Sequence, residues 1–386
     1  MPSTSLLFTP WQLRRVVARN RVAISPMQQY SAEQGTADDW HLAHLARFAM
    51  GGAGIVFVGS TAVEERGRNT HGDLGLWQDR QTEPLARVAR ALRRSGAVAG
   101  IQLGHCGRKA GLQKWWEGHG PLTDKDAARG EAAWPVIGPS PLRVADNYRL
   151  PEAPDTAGVV QTVQAWAAAA RRAREAGFEA LEIHGAHGYL VHQFLHPVSN
   201  QREDRYGQQR WTYALEVAEA VRREWPDHLP MFWRHTLADP ADGGFALEEN
   251  IAFARALHSR GVDVLDCSSG GGISGYPAVG KHVPRGLDFR ADMAGAIRQA
   301  TGMPVMAVGL IIDPHQAEAL LQDGQADLIA IGREALYNPN WALHAERALG
   351  AASGYGSWPL QYRMWLERRA PVADPIRQAA LARQAA

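Results

Sequence analysis

Val159–Ala176 reads VVQTVQAWAAAARRAREA, Gly177-Phe178-Glu179 follows, and Ala180–His184 reads ALEIH. The first segment gathers its apolar residues on one side and sets Arg171, Arg172, Arg174 and Glu175 at solvent positions, the pattern of an amphipathic helix. Gly177 ends it as a C′ glycine does. The second segment is short and nearly continuously apolar, as a strand buried on both faces must be. This unit decides the fold because it recurs. Strand candidates of the same kind are Val22–Ser25, Ile55–Gly59, Val98–Leu103, Met231–His235, Val264–Ser268, Val305–Val308 and Leu328–Ile331, which with Ala180–His184 makes eight. Helical stretches lie between them at Gln81–Arg94, Trp211–Glu224, Leu247–Ser259, Ala291–Thr301 and His315–Gln322. Eight strand–helix alternations predict an α/β fold, a (β/α)8 TIM barrel, with an open doubly wound sheet as the alternative.

A single domain is expected, with the barrel over about residues 9–350 and a C-terminal tail over 351–386. The longest irregular stretch, Gly104–Thr156, is rich in Gly, Pro and Trp and follows the third strand. In a barrel that is a βα loop on the catalytic face, and loops this long are usually functional. The tail carries a basic run around Tyr362–Arg369, which predicts either self-packing or a subunit contact.

Lys+Arg 41 against Asp+Glu 40 leaves a charge of +1, which gives no electrostatic footprint for nucleic acid or an anionic membrane. Two cysteines cannot build a disulfide framework, a four-cysteine zinc site or an iron–sulfur cluster, and they suit a reducing, cytoplasmic setting. No apolar run approaches the length of a membrane helix, and MPSTSLLFTP lacks the basic and apolar regions of a secretory signal.

The strongest local signal is His184-Gly185-Ala186-His187-Gly188-Tyr189, at the carboxyl end of the fourth strand, where barrel enzymes place their chemistry. Two imidazoles three residues apart can meet one atom; they can equally hydrogen-bond neighbouring loops or begin a metal site that lacks further ligands. Gln102 inside a buried strand needs partners for its amide, from a core group or from the N–H and C=O edge of a heterocycle. Arg234 inside a strand demands an anion or strong acceptor, either a ligand or a carboxylate on a neighbouring strand. Gly309 and Ile331-Gly332-Arg333 end strands seven and eight, the usual phosphate site of barrels. Gly270–Gly275 formally matches G-x-G-x-x-G, but Pro277 and Pro284 follow where a helix should open, so it reads as a βα loop and not a dinucleotide fingerprint. Cys106 and Cys267 read as buried small hydrophobes. Glu203 and Asp204 fall in Ser199–Gly207, which reads as a polar loop.

Together these pieces resemble the Old Yellow Enzyme family of FMN-dependent ene-reductases, in its thermophilic-like, xenobiotic reductase branch. The resemblance runs from about Thr9 to about Tyr337 and rests on Asn20-Arg21-Val22, Ser25-Pro26-Met27, Gly100–His105 with Gly107-Arg108-Lys109, Glu175–Phe178, His184–Leu190, His192–Leu195 with Ser199-Asn200, Asp266–Gly270 and Ile331–Glu334. It implies a barrel that holds FMN noncovalently and is reduced by NADPH or NADH. By resemblance, Ser25, Pro26, Met27, Gln28 and Ser60 would border the flavin and Gln102 would read its pyrimidine edge. Arg234 would sit near N1 and O2, and Gly309, Gly332 and Arg333 would hold the phosphate. His184 and His187 would bind a substrate carbonyl oxygen, Tyr189 would donate a proton, and Tyr30 would wall the pocket. Lys109 matches a position near the cofactor. A homodimer or homotetramer is implied, with Trp365 or Arg363 of the tail reaching a neighbouring substrate site. No metal is implied.

One departure stands out. The branch usually has a cysteine two residues before Tyr30, and here that position is Gln28. A bulkier, non-oxidisable amide implies a shifted flavin potential or a re-shaped pocket, unless it turns away. The readings carried forward are reduction of activated C=C bonds, another net flavin reaction (desaturation, isomerisation, dearomatised-ring or nitro reduction), and a metal-dependent lyase or hydrolase.

Overall fold

The computed structural model describes residues 5–239, 244–270, 272–273 and 290–385. A hairpin of β1 (Trp11–Leu13) and β2 (Val16–Ala18) precedes β3 (Val22–Ile24), β4 (Ile55–Ala62), β5 (Val98–Gly104), β6 (Ala180–Gly185), β7 (Met231–Thr236), β8 (Val264–Ser268), β9 (Val305–Val308) and β10 (Leu328–Ile331). The last eight are parallel neighbours in sequence order, and β10 pairs with β3 to close a barrel. The fold is the (β/α)8 barrel that the alternation predicts.

Period-two alternation assigns the two faces of each strand. Outward residues such as Val56, Ile101, Leu181, Ile183, Trp233 and Leu265 pack with the surrounding helices in the main core. A second cluster fills the barrel's amino-terminal end: Ile55, Phe57, Val98, Phe232, Val264 and Leu328, with hairpin residue Ala18. Phe57 and Phe232 meet edge to face at 5.3 Å. Gly100 makes that contact possible, because a Cβ there would lie 2.5 Å from the Phe57 ring.

The helix containing Val159–Ala176 spans Thr156–Glu175, capped by Asp155 accepting from the Gly158 N–H, and Gly177 leaves it at φ +82°. β4 runs three residues beyond the expected Gly59, through a register shift between Val58 and Thr61. The segment expected as a polar loop around Glu203 and Asp204 is partly helical: Arg205–Gln208 form one turn, and Asp204 is its cap, accepting from the Tyr206 N–H. The helix Asp39–Met50, opened by a capping box between Asp38 and His41, had no counterpart in the periodic pattern. Gly104–Thr156 is largely irregular, with one four-residue helix at Asp124–Ala127. The tail forms a helix, Leu360–Ala385, that tolerates Pro371 and Pro375. Among the described residues no helix is long and apolar enough to cross a membrane. Of the glycine-rich stretch, Gly271, Ser274, Gly275, Pro277 and Pro284 lie outside the described residues.

Candidate active site

On β5, β6, β7 and β8 the inward positions at the carboxyl ends are polar, and the fold brings them together. Parallel register sets Gln102 beside Glu182, His184 beside Arg234, and Arg234 beside Asp266. Gln102 Nε2 donates to Glu182 Oε1 at 2.7 Å. Arg234 pairs with Asp266 at 3.0 Å and donates to Ser25 Oγ at 2.9 Å. The structural reading of Arg234, a bridge to a neighbouring strand's carboxylate, is therefore realised. Its Nε remains buried without a hydrogen-bond partner, which leaves that donor for a ligand.

His184 is buried at the end of β6 and His187 sits in the turn after it, at φ +61°. The His187 N–H donates to Thr236 Oγ1 at 2.9 Å, which holds the turn against β7. His184 Nδ1 accepts from the Ala186 N–H at 3.3 Å, so its proton belongs on Nε2. That Nε2 lies 3.3 Å from His187 Nδ1, and His187 Nε2 lies 2.7 Å from Ser268 Oγ. Burial, reinforced by the charge of Arg234, lowers His184 to about 3. Burial, with His184 and Arg234 nearby, also holds His187 well below its ordinary range. Both imidazoles are neutral at pH 7, so they work as hydrogen-bonding groups and not as cations.

Tyr189 packs its ring edge-on against His184, centroids 4.9 Å apart. The Lys109 ammonium lies 5.4 Å from the Tyr189 ring centroid and donates to the carbonyls of His187 at 2.9 Å and Gly272 at 3.1 Å. Burial lowers Lys109 to about 8. Lys109 thus braces the turn that carries His187 and Tyr189.

A cleft of about 480 Å³ opens beside His187, lined by Ser25, Met27, Arg234, Arg290, Gly309 and Arg333. Gly309 adopts φ +121°, and Gly332 opens the five-residue helix Arg333–Tyr337. At Gly332 a Cβ would meet no atom closer than Met27 Sδ at 3.6 Å, so the backbone there is open to a close approach. Arg290 was not singled out by any motif. It donates to the carbonyl of Val308 at 2.7 Å, and burial lowers it to about 10. Three guanidinium groups, that of Arg234 with its orphaned buried Nε, and half-buried glycine backbone make a donor set that fits an anionic phosphate and an electron-rich heterocycle edge.

Gln28 turns its amide to the protein: Nε2 donates to Asp73 Oδ2 at 2.8 Å, and Oε1 accepts from the Tyr30 hydroxyl at 3.3 Å. Tyr30 in turn accepts from Trp115 Nε1 at 2.9 Å, which ties the long loop to the first strand's exit. Burial raises Asp73 to about 6 against the pull of its backbone and Thr70 donors. Ser60 occupies the β4 irregularity, where a Cβ on Gly104 would lie 2.1 Å from its Oγ. Cys106 and Cys267 are both buried.

Trp365 is not brought to the site by this chain's own fold. It is 64% exposed on the tail helix, with Arg368 over its ring at 5.9 Å. Glu182 was not singled out either, and Asp266 entered only within a resemblance motif, without a role of its own. A carboxylate in a continuously apolar strand makes the same demand for a partner as Arg234, and that signal was available. Among the described residues no group of three His, Cys, Asp or Glu side chains could hold a metal ion.

The sequence profile of the NADH:flavin oxidoreductase / NADH oxidase family matches residues 6–351. The NADPH dehydrogenase of Listeria innocua is 40% identical over 353 residues, spanning 90% of this chain and 96% of that protein. The NADPH dehydrogenase of Bacillus subtilis is 36% identical over 352 residues, spanning 89% and 95%. Among solved structures, morphinone reductase superposes with a TM-score of 0.73 at 23% identity, over 90% of this chain and 91% of its own, a likeness of fold. The chain belongs to the NADH:flavin oxidoreductase / NADH oxidase family, the Old Yellow Enzyme family, and is an NAD(P)H-dependent flavin oxidoreductase that uses FMN.

Proposed function

We propose that this oxidoreductase reduces activated C=C bonds, such as those of enones, with His184 and His187 binding the carbonyl oxygen and Tyr189 donating the proton. The observation that carries this reading is the neutral, buried imidazole pair, with two ring nitrogens 3.3 Å apart beside Tyr189 and the cleft. FMN, when bound, supplies the carrier that takes hydride from NAD(P)H and passes it to the β-carbon of the alkene. Gln102, Arg234, Gly309, Gly332 and Arg333 would hold it, with Ser25, Pro26, Met27, Gln28 and Ser60 at its border.

As hydride arrives at the β-carbon, negative charge develops on the substrate carbonyl oxygen. His184 carries its proton on Nε2, the nitrogen 3.3 Å from His187 Nδ1, and would turn that N–H to the oxygen. His187 can donate from Nδ1 when Ser268 donates to its Nε2, because a hydroxyl serves as either donor or acceptor. Removing one such preorganised donor costs on the order of 10²–10³ in kcat in related chemistry. The Tyr189 hydroxyl then delivers a proton to the α-carbon as general acid. Lys109, near that ring, favours the phenolate left behind. Tyr30 would wall the pocket, and Trp365 would reach it from a second copy of the chain, in a homodimer or homotetramer.

Gln28 belongs to this proposal. Its replacement of a cysteine predicts a shifted flavin potential, and its bonds to Asp73 and Tyr30 favour action on pocket shape through Tyr30. Potentiometry of Gln28→Cys against the natural protein tests this; an unchanged potential and turnover would refute it. The function itself is tested by anaerobic reduction with NADPH followed by 2-cyclohexenone. Reoxidation by the enone supports alkene reduction, whereas a flavin that NADPH reduces and the enone leaves reduced moves the search to other acceptors.

A further inference from the structure

Beneath the residues assigned to chemistry lies a charged layer that the reaction does not use. Glu182 and Asp266 are both 0% exposed, on strands separated only by β7. Glu182 Oε1 is occupied by the Gln102 amide, while Oε2 has no hydrogen-bond partner. Neither oxygen of Asp266 has one either, although Oδ2 lies 3.0 Å from Arg234 in an ion pair. Unsatisfied buried carboxylate oxygens are costly, and these belong to two acidic groups on inward positions of strands that flank β7.

We propose that Glu182 and Asp266 hold a single proton between them, and that this pair is a positioning device for Gln102 and Arg234. The proton sits on Glu182 Oε2 and is donated to Asp266. That gives the orphaned oxygens complementary roles. It also balances charge: burial raises Asp266 as well, but Arg234 at 3.0 Å and Arg290 from the next loop pull it down, which leaves the pair's one negative charge on Asp266. A second ionised carboxylate at Glu182 would be buried against Asp266, and burial together with that repulsion pushes the Glu182 carboxyl upward.

Two consequences follow for the neighbours. With its proton turned to Asp266, Glu182 offers Gln102 only the carbonyl oxygen Oε1. The Gln102 NH₂ must be the donor, so its own carbonyl oxygen is what the site presents. Asp266 in turn offsets part of the Arg234 charge. These consequences rest on the reading that Gln102 and Arg234 meet the flavin's pyrimidine edge; the shared proton does not.

The test is infrared spectroscopy of the FMN-loaded protein at pH 8, where Asp73, at about 6, is ionised. The proposal expects a C=O stretch of a protonated carboxylic acid. It should shift when the chain carries ¹³C-labelled glutamate and vanish in Glu182→Gln. A spectrum without that band, or a band that survives Glu182→Gln, overturns it. The isotope shift in the natural chain decides the matter even where the variant fails to fold. Potentiometry reads the second half. Glu182→Gln keeps one acceptor and one donor without changing charge and leaves the flavin potential in place, whereas Asp266→Asn raises it. Equal upward shifts in both variants would make Glu182 a carboxylate and refute the pair. The band together with an unchanged flavin potential in Asp266→Asn refutes the assignment of Gln102 and Arg234 and leaves the shared proton standing.

Discussion

The two ends of the barrel are built from the same strands and obey opposite rules. On β7 the inward positions run from Phe232 to Arg234 to Thr236, and on β8 from Val264 to Asp266 to Ser268. The amino-terminal layer is an apolar plug against the hairpin. Further along β5 to β8, the inward side chains are Gln102, Glu182, Arg234 and Asp266, and His184 and Ser268 come next. A step of about 7 Å along a strand thus separates groups that hold the fold from groups that need a ligand or each other. The comparison teaches why stability and chemistry can be altered separately here. The lower layer gains by excluding water, whereas the upper layer spends folding energy on desolvated polar groups.

Substitutions in the two layers should therefore fail in different assays. The largest expected effect is at the bottom. Phe232→Ala removes one half of the Phe57–Phe232 contact from a fully buried site and should cost ~3–5 kcal/mol of stability, read by urea unfolding. A loss below about 1 kcal/mol would mean the plug is not packed as described. At the top, His184→Ala should lower kcat by about 10²–10³ for an enone while leaving the chain folded. A variant that loses stability as Phe232→Ala does, with kcat retained, would erase the distinction between the layers.

The fold was legible because a buried parallel strand has little freedom in composition. β8, β9 and β10 begin and end at the residues the sequence predicts, Val264–Ser268, Val305–Val308 and Leu328–Ile331. Asp39–Met50 escaped because His41, His44 and Arg47 interrupt its apolar face, and its signal is the Asp38 cap instead. At the site, His184, Gln102 and Arg234 announced themselves as polar groups in apolar strands. Glu182 carries the same signal in the strand Ala180–His184, just ahead of the motif read for its histidines. Arg290 follows the glycine-rich stretch and has no motif, so only the closed barrel reveals that it reaches Ser269 and Val308. Trp365 rests on resemblance alone, and this chain's own fold leaves it exposed on the tail helix.

The smaller predictions sharpen the same contrast. Burial lowers His184 from 6.5 to about 3, so below pH 6.5 the unfolded chain takes up a proton that the folded residue refuses. Its contribution to stability is full above pH 6.5 and lost as pH falls toward 3, at up to ~1.4 kcal/mol per pH unit for one proton. His184→Asn should flatten the acid side of the stability profile, whereas Phe232→Leu should displace the profile without changing its slope. The smallest effect is expected outside the barrel. Trp365→Ala, on an exposed helix, should change stability by less than ~0.5 kcal/mol. A raised KM without a change in melting would place Trp365 at a neighbouring site, and a large drop in melting temperature would make it a structural contact.

The central claim is that the polar end of the barrel delivers electrons from NAD(P)H to an activated alkene. Its most direct test is the visible spectrum of the purified protein, recorded anaerobically through addition of NADPH and then of 2-cyclohexenone. The account predicts flavin bands that NADPH bleaches and the enone restores, with restoration slowed about 10²–10³-fold in His184→Ala. Bands that bleach and return at the same rate in His184→Ala would contradict it, because the paired imidazoles would then have no part in the step.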